Sequence, residues 1–341
     1  RNQSELTMAK PIQRITVIGA GAWGTALASV ARRAGRDVTI HAHESETAAA
    51  INGHHENTVF LPDIPLDREI RATPDLQDAA SGADAILMVT PAQFLGHTLR
   101  QLAANNHASV PLVICAKGIE LKTGLLMNEV AEAAAPQATL AVLSGPTFAA
   151  EVARGLPTAV TLACADSALA TQLADALGTP SFRPYTASDV VGAEVGGAIK
   201  NVIAIACGVV DGRGLGQNAR AAVIARGLAE ITRFASALDA DPRTLMGLSG
   251  LGDLTLTCTS TASRNYSLGA TLGSGTSFKD AMAGRKTVAE GATTAPAVLT
   301  RAAALGVDMP ICAAVNAILH AGAGIDETIA EILARPLRPE G

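Results

Sequence analysis

The sequence is poor in aromatic residues and in charge, and it has no long uninterrupted apolar run. Of its 341 residues, 3% are aromatic and 17% are charged, whereas 48% are hydrophobic. This composition excludes a disordered chain and predicts a core built from aliphatic side chains and alanine. At roughly 150 residues per domain, the length indicates two domains. No apolar run reaches the roughly 18 residues that a spanning helix needs, so we expect no membrane insertion.

Positive charge and cysteine are also scarce. Lys and Arg number 26 against 31 Asp and Glu, and the net charge of −5 argues against a nucleic-acid-binding surface while leaving room for a local basic pocket. The five cysteines are widely spaced and form no C-x-x-C pair. Residues 1–11 lack the apolar segment of a secretory signal, and Met8 is a candidate natural start. We therefore expect a cytoplasmic protein with buried, reduced thiols and no metal site.

Short apolar runs alternate with helical patterns over the first half of the chain. Strands are predicted at 12–19, 36–43, 85–91, 110–118, 139–146 and 158–163, and a helix at 22–35 follows the first strand. The alternation predicts an α/β domain of Rossmann-like type over residues 12–188, with a mostly parallel sheet covered by helices. Beyond residue 188 only helical patterns occur. They predict an all-α C-terminal substrate domain over residues 189–335.

A glycine fingerprint lies between the first predicted strand and the helix after it. Gly19, Gly21 and Gly24 form the pattern G-x-G-x-x-G. In a strand–turn–helix unit the first glycine makes the tight turn, the second lets the backbone approach a pyrophosphate, and the third allows close packing. The helix N-terminus then offers amides and partial positive charge to the phosphates. This context predicts a dinucleotide site, although a tight turn that binds nothing has the same pattern.

The end of the second predicted strand bears on the choice between NAD and NADP. An acidic residue there commonly binds the ribose hydroxyls of NAD, and Glu44 lies 20 residues after Gly24. His43 beside it is compatible with the 2′-phosphate of NADP. The sequence leaves the choice open, and we expect both cofactors to work.

Two of the six lysines lie where burial is unfavourable. Lys117 ends an apolar strand at the edge where open α/β sheets bind ligands, and Lys200 lies within the apolar helical segment GGAIKNVIAIACGVV. Burial lowers the pKa of a lysine towards that of a general base. A solvent-directed side chain is the alternative for each. Histidine is badly placed for this task, because only His320 lies in the predicted helical domain.

A second polar region follows the glycine-rich segment GLSGLGDLTLT, which we interpret as a turn that carries Asp253. Ser263 is a candidate N-cap of a helix that begins near Arg264, with Asn265 in the same first turn. A cation is disfavoured at a helix N-terminus unless an anion is bound there, and a phosphate would fit. An ordinary capped surface helix remains the alternative.

In this order, the motifs resemble those of the prokaryotic-type NAD(P)-dependent glycerol-3-phosphate dehydrogenases. The resemblance runs from about residue 14 to 320 and rests on GAGAWGTALA (19–28), NTVFLPDI (57–64), AKGIE (116–120), SGPTFAAEVARGLPTA (144–159), GAIKN (197–201), GLSGLGDLTLT (247–257), SRNYSLG (263–269) and VAEG (288–291). It implies reversible reduction of dihydroxyacetone phosphate by NADH or NADPH to sn-glycerol 3-phosphate, which feeds phospholipid synthesis in the cytoplasm.

The resemblance also implies roles for single residues. It makes Lys200 the proton acceptor. It places the cofactor against Ala22, Trp23, His43, Lys117, Ala149, Arg264, Val288 and Glu290, and the substrate against Lys117, Gly145, Thr147, Lys200, Asp253, Ser263, Arg264 and Asn265. Position 43 is often arginine in the family, so His43 weakens an assignment to NADP. The positive charge of Lys117 would lower the pKa of Lys200, whereas Asp253 would raise it.

Two other functions are compatible with parts of the sequence. A β-hydroxyacid dehydrogenase also couples a Rossmann domain to helices with a Lys–Asn pair, but it gives no reason for the S-R-N motif at 263–265. A non-catalytic dinucleotide-binding sensor would explain the glycine fingerprint but not a lysine in an apolar helix. An apolar helical domain is compatible with a homodimer.

Overall fold

The computed structural model describes residues 11–283 and 289–336. Eight strands form one sheet in the order β10-β9-β8-β7-β6-β1-β2-β5, and β3 and β4 form a separate hairpin. The strands are β1 (Arg14–Ile18), β2 (Asp37–His41), β3 (Glu56–Asn57), β4 (Leu61–Pro65), β5 (Arg71–Thr73), β6 (Ala85–Met88), β7 (Leu112–Ile114), β8 (Leu140–Ser144), β9 (Thr158–Cys164) and β10 (Phe182–Ala187). All pairs in the main sheet are parallel except β8 with β9. The predicted mostly parallel sheet is confirmed.

Seven α-helices connect these strands. They are α1 (Ala22–Arg33), α2 (Ser45–His54), α3 (Leu76–Ala80), α4 (Leu95–Ala104), α5 (Met127–Ala134), α6 (Ala149–Ala153) and α7 (Ser167–Leu177). Two apolar clusters, each containing residues of the sheet and of these helices, form the core of this part of the protein. The five cysteines of the chain are all buried, as predicted.

The rest of the described chain is helical, as predicted. Its helices are α8 (Val190–Gly212), α9 (Gly216–Ser236), α10 (Pro242–Leu245), α11 (Asp253–Cys258), α12 (Arg264–Gly273), α13 (Phe278–Met282), α14 (Glu290–Leu305), α15 (Pro310–His320) and α16 (Ile325–Leu333). Helix α8 lies at the centre and packs against α9, α11, α12 and α14. The domain boundary near residue 188 stays a prediction, since Ala193 packs with the sheet and Ile119 with the helices.

Helices α8 and α12 approach each other through glycines on both sides. Gly208 and Gly212 of α8 face Gly269 and Gly273 of α12. A Cβ atom at Gly208 would lie 2.1 Å from the carbonyl oxygen of Tyr266, and one at Gly269 would lie 2.0 Å from that of Ile205. No larger residue fits such contacts without separating the helices. This packing fixes the position of α12 relative to the lysine-bearing helix α8.

Helix α8 is also the one helix in the described chain that is long and apolar enough to cross a membrane, although no uninterrupted apolar run of that length exists. Of its most apolar 18-residue window, 83% is buried inside the protein. Its apolar side chains therefore form the core of the helical region.

Helix α14 contains a proline whose effect is compensated by a distant histidine. Pro296 has no N–H, so the carbonyl oxygen of Ala292 loses its usual helical partner. The ring Nε2 of His320 lies 2.8 Å from that oxygen and must donate a hydrogen to it. This bond gives His320 a structural task, consistent with the expectation that histidine does not supply the proton acceptor.

Candidate active site

Loops at the carboxyl ends of neighbouring strands converge on one edge of the sheet. Gly19 follows β1, His43 follows β2, Thr90 follows β6, Lys117 follows β7 and Gly145 follows β8. The chain leaves β1 towards β2 on one side and later returns to β6 on the other. Such a reversal beside β1 opens a crevice, and open α/β sheets bind ligands there.

The glycine loop has the geometry that its pattern predicts. Gly19 has a φ of 116°, and a Cβ atom there would lie 2.8 Å from the carbonyl oxygen of Val89. A Cβ atom at Gly24 would lie 1.8 Å from the carbonyl oxygen of Gly19, so the helix packs directly against the turn. A Cβ atom at Gly21 would meet no atom within 4 Å, which leaves this side of the loop open.

The open side fits a dinucleotide. Helix α1 begins at Ala22 with no side chain capping its N-terminus and no acidic residue in its first turn, so its amides and partial positive charge are free for phosphates. The ring Nε1 of Trp23 and the hydroxyl of Thr90 are buried without a partner among the described residues. Buried polar groups normally have a hydrogen-bond partner. These two lie beside the glycine loop, on whose open side a dinucleotide would bind.

Two lysines from different parts of the chain meet on one buried carboxylate. The Nζ of Lys200 lies 2.5 Å from Oδ1 of Asp253, and the Nζ of Lys117 lies 2.7 Å from Oδ2. Lys117 also donates to the carbonyl oxygen of Gly145 at 3.3 Å. The carboxylate is fully buried, whereas the Lys117 side chain is 15% exposed and that of Lys200 7%. One negative charge thus holds two ammonium groups at the carboxyl edge of the sheet.

The surroundings of Lys200 prepare it for proton transfer. Burial lowers the pKa of Lys200 from its usual 10.5 to about 8. The nearby positive charge of Lys117 acts in the same direction, while Asp253 opposes both. Desolvation therefore outweighs the attraction to the carboxylate. A lysine with this pKa exchanges protons readily near neutral pH.

Two sequence models of known families match the chain. One is described as the N-terminus of NAD-dependent glycerol-3-phosphate dehydrogenase and covers residues 14–170, and the other as its C-terminus and covers residues 189–330. The chain belongs to this family.

Curated relatives and a solved structure agree with the family models. Glycerol-3-phosphate dehydrogenase [NAD(P)+] of Rhodospirillum rubrum is 58% identical, over 97% of this chain and 95% of that protein. The protein of the same name from Caulobacter vibrioides is 56% identical, over 96% and 99%. The crystal structure of glycerol-3-phosphate dehydrogenase from Coxiella burnetii superposes with a TM-score of 0.91 at 37% identity, covering 95% of this chain and 99% of that one.

The described residues that the family resemblance assigns to the cofactor lie in both the α/β part and the helical part of the chain. Ala22, Trp23 and Ala149 pack against the same apolar cluster of the sheet. His43 is exposed at the end of β2. Burial raises the pKa of Glu290, and the positive charges of Arg264, Lys117 and Lys200 lower it, which places this carboxyl group near the lysine pair. Val288 lies outside the described residues.

The residues assigned to the substrate fall into two groups. Gly145 and Thr147 lie beside Lys117, and the Thr147 hydroxyl donates to the carbonyl oxygen of Gly145 at 3.3 Å. The second group lies at the start of α12. Ser263 is the N-cap as predicted, since its Oγ accepts from the amide of Tyr266 at 3.3 Å. Arg264 is exposed and makes no hydrogen bond or ion pair to any described residue.

Asn265 has a structural role that the sequence did not reveal. Its Nδ2 donates to Oδ1 of Asn201 at 3.0 Å, and its Oδ1 accepts from the amide of Gly291 at 2.9 Å. The residue is buried and joins α12, α8 and α14. Because Asn201 follows Lys200, this amide connects the start of α12 to the helix turn that carries the lysine.

Thr257 is a site residue that sequence reasoning missed. Its hydroxyl lies 2.9 Å from the Nζ of Lys200 and donates to the carbonyl oxygen of Asp253 at 2.7 Å. Since that hydrogen is used, its oxygen accepts from the lysine. The spacing of four residues from Asp253 could have indicated it, because residues i and i+4 share one helix face.

The segment at 247–257 is not the turn that we predicted. Residues Leu248–Gly252 form a π-helical turn that continues directly into α11, which begins at Asp253. A Cβ atom at Gly250 would lie 2.0 Å from the carbonyl oxygen of Leu245, and one at Gly196 would lie 2.4 Å from that of Ser249. The glycines therefore permit close packing against α10 and α8 rather than a reversal of the chain, and the packing against α8 brings Asp253 to Lys200.

Proposed function

We propose that this protein is an NAD(P)-dependent sn-glycerol-3-phosphate dehydrogenase that interconverts dihydroxyacetone phosphate and glycerol 3-phosphate. The observation that carries the proposal is the buried arrangement Lys117–Asp253–Lys200 at the same sheet edge as the glycine loop. A sensor that only bound a dinucleotide would gain nothing from two buried ammonium groups, whose desolvation is unfavourable. The family of the chain and the names of its relatives point the same way.

Lys200 transfers the proton. In the reductive direction its ammonium group donates a proton to the carbonyl oxygen of dihydroxyacetone phosphate. In the oxidative direction the neutral amine accepts the hydroxyl proton of glycerol 3-phosphate. The pKa of about 8 makes both forms accessible near neutral pH.

Three neighbours prepare Lys200 for that role. The ammonium of Lys117 stabilises negative charge on the reacting oxygen, as a fixed positive group does in a site that excludes water. Asp253 holds both ammonium groups, and the hydroxyl of Thr257 limits the directions in which Lys200 can point. Because these groups are already in place, the site needs little reorganisation at the moment of reaction.

The start of α12 binds the phosphate of the substrate. Arg264 makes no hydrogen bond or ion pair with another described side chain, and the first turn of α12 has no acidic residue. The guanidinium fork and the helix N-terminus both favour a phosphate at this point. Asn265 fixes this turn relative to Lys200 through Asn201.

The cofactor binds at the open side of the glycine loop. When bound, a nicotinamide dinucleotide supplies or accepts the hydride. Gly21 and the first turn of α1 hold its pyrophosphate, and Trp23, Ala149 and Glu290 line the remainder of the cofactor site. His43 and Glu44 lie where the adenosine ribose binds, and both NADH and NADPH are substrates.

The deciding experiment follows nicotinamide absorbance with dihydroxyacetone phosphate, with a β-hydroxy acid and with no second substrate. Turnover with dihydroxyacetone phosphate is the expected result. Turnover with the hydroxy acid alone would favour a β-hydroxyacid dehydrogenase, and cofactor binding without turnover would favour a sensor. Lys200→Met keeps the length of the side chain while removing the proton carrier, so kcat falls about 10²- to 10⁴-fold with cofactor affinity nearly unchanged. Turnover within threefold of wild type would exclude this role for Lys200.

Location and assembly complete the proposal. The protein acts in the cytoplasm without membrane insertion, where its product supplies phospholipid synthesis. It forms a homodimer, since Leu215 and the alanines Ala221, Ala222 and Ala225 of α9 are exposed. A mass of one chain by light scattering at micromolar concentration would exclude the dimer.

A further inference from the structure

Asn57 lies outside the sites discussed so far and is bonded to the glycine loop. It is the last residue of β3, and its side chain is fully buried. Its Nδ2 donates to the carbonyl oxygen of Ala20 at 2.7 Å and to the hydroxyl of Thr25 at 2.8 Å. Its Oδ1 accepts from the amide of Phe60 at 3.1 Å. Both hydrogens and the oxygen of this amide are therefore used.

The orientation of the amide follows from its partners. The carbonyl oxygen of Ala20 can only accept, and the amide of Phe60 can only donate. Nδ2 must therefore face the glycine loop, and Oδ1 must face the hairpin. A carboxylate or an aliphatic side chain of similar size at this position could not make the bond to Ala20.

This bond fixes the direction of one peptide plane in the glycine loop. In a trans peptide the C=O and N–H groups point in opposite directions. Since the oxygen of Ala20 points at Asn57, the N–H of Gly21 points away from it. We propose that Asn57 is a positioning residue for the cofactor, which holds the Ala20–Gly21 peptide so that the Gly21 amide faces the pyrophosphate. This proposal rests on the proposed function as a dinucleotide-dependent enzyme.

The hairpin provides a rigid support for Asn57. Leu61 and Ile64 of β4 are buried in the apolar cluster that includes Leu27 of α1 and Ile51 of α2. The hairpin thus shares an apolar core with α1, the helix that follows the glycine loop, and Asn57 itself bonds to Thr25 of that helix. Without Asn57, Ala20 would have only the weaker bond from the Thr25 hydroxyl at 3.4 Å.

The first test replaces Asn57 by alanine in the full chain. We expect the Kd for NADH, measured by nicotinamide fluorescence without substrate, to rise about 10-fold through loss of the buried hydrogen bond. At saturating cofactor, kcat should change less than about threefold, because Asn57 contacts neither Lys117 nor Lys200. The matched control is Asn52→Ala. Asn52 also makes two backbone bonds, to the oxygen and the amide of Ala72 in β5 at 2.8 Å each, but it does not contact the glycine loop.

If Asn57 had only a structural role, both Asn57→Ala and the control Asn52→Ala would leave the Kd for NADH unchanged. The melting temperature of each variant monitors its fold. As a second variant, Asn57→Asp is isosteric and keeps the shape of the core. At pH 8 its carboxylate cannot donate to Ala20, whereas at pH 6 a protonated buried carboxyl can, so its Kd for NADH should improve towards pH 6 more than that of wild type.

Kd values within twofold of wild type for both folded Asn57 variants would overturn the positioning role. A wild-type protein that binds neither NADH nor NADPH would instead overturn the proposed function, and these two failures are distinguishable in the same titration.

Discussion

At the scale of single residues, the buried lysine makes the reaction sensitive to pH. Oxidation of glycerol 3-phosphate needs neutral Lys200, and reduction of dihydroxyacetone phosphate needs the ammonium form. Because the pKa of Lys200 is about 8, kcat/KM for oxidation should rise as the pH increases through about 8, and kcat/KM for reduction should fall over the same range. Initial rates at a series of pH values in both directions measure this.

Asp253→Asn provides the control for the pH profile. The carboxylate raises the pKa of Lys200, so its removal should move the transition in the oxidative direction to lower pH. An unmoved transition would mean that the profile reports a group other than Lys200.

Arg264 allows phosphate binding to be separated from hydride transfer. Arg264→Ala should raise KM for dihydroxyacetone phosphate roughly 10- to 150-fold, because loss of a charged hydrogen-bond partner costs about 1.5–3 kcal/mol. Arg264→Lys should recover part of the loss, since an ammonium lacks the planar fork. KM for NADH is measured in parallel. Equal losses with dihydroxyacetone phosphate and with unphosphorylated dihydroxyacetone would assign Arg264 to the cofactor or the fold.

The sequence indicated the charged part of this site better than its neutral part. Lys117 and Lys200 were recognisable because a lysine beside apolar residues is unfavourable unless it has a partner or a task. Thr257 and Asn57 carry no such signal, since a buried hydroxyl or amide is satisfied by one or two bonds. Their partners Lys200 and Ala20 are 57 and 37 residues away in sequence, and the sequence offers no more than the four-residue spacing of Thr257 from Asp253.

At the scale of secondary structure, the strands missed from the sequence are the two edges of the sheet and the two strands of the hairpin. The strands inside the sheet carry short apolar runs, and each was predicted. β5 and β10 form the two edges, and the hairpin of β3 and β4 is separate. β10 has one buried residue in six, so no apolar run or alternation marks it. Burial creates the pattern by which a strand is recognised, and edge strands have less of it.

The glycine contact between α8 and α12 predicts a strong effect of one methyl group. Gly208→Ala should lower the free energy of unfolding by about 1–3 kcal/mol or more, because its Cβ would overlap the Tyr266 carbonyl unless the helices separate. Denaturant unfolding measures the loss. The control is Gly53→Ala in α2, where a Cβ meets no atom within 4 Å and alanine should add about 0.5–1 kcal/mol. Equal stability of the two variants would show that α8 and α12 can separate freely.

At the scale of the whole molecule, two buried carboxyl groups connect folding to proton uptake. Glu194 accepts from the amide of Asn128 near the start of α5, and Glu230 accepts from those of Ile311 and Cys312 in the first turn of α15. Burial raises the pKa of Glu194 to about 8 and that of Glu230 to about 7, from 4.5. At pH values between 4.5 and these raised pKa values, folding is therefore accompanied by proton uptake.

The sign of the resulting pH dependence follows directly. The stabilising contribution of these groups is complete below pH 4.5 and is lost as the pH rises through about 7 and 8. Between pH 4.5 and its raised pKa, each group makes the free energy of unfolding fall by at most about 1.4 kcal/mol for each unit by which the pH rises. Glu194→Gln should keep the bond to Asn128, raise stability at pH 8 and flatten the dependence, as measured by denaturant unfolding from pH 5 to 8. The exposed Glu331→Gln should leave the slope as in wild type.

The central position of α8 also has a consequence for synthesis on the ribosome. The helices that cover it, α9, α11, α12 and α14, all follow it in the chain, and α14 ends at Leu305. About 90 residues must therefore be translated after Gly212 before the last of these helices is complete, which takes roughly 5–20 s at 5–20 residues per second. During that interval α8, which alone among the described helices is long and apolar enough to cross a membrane, lacks most of its packing partners. The nascent chain is a natural client for chaperones that bind apolar segments, and slow translation beyond residue 212 would lower the yield of folded protein.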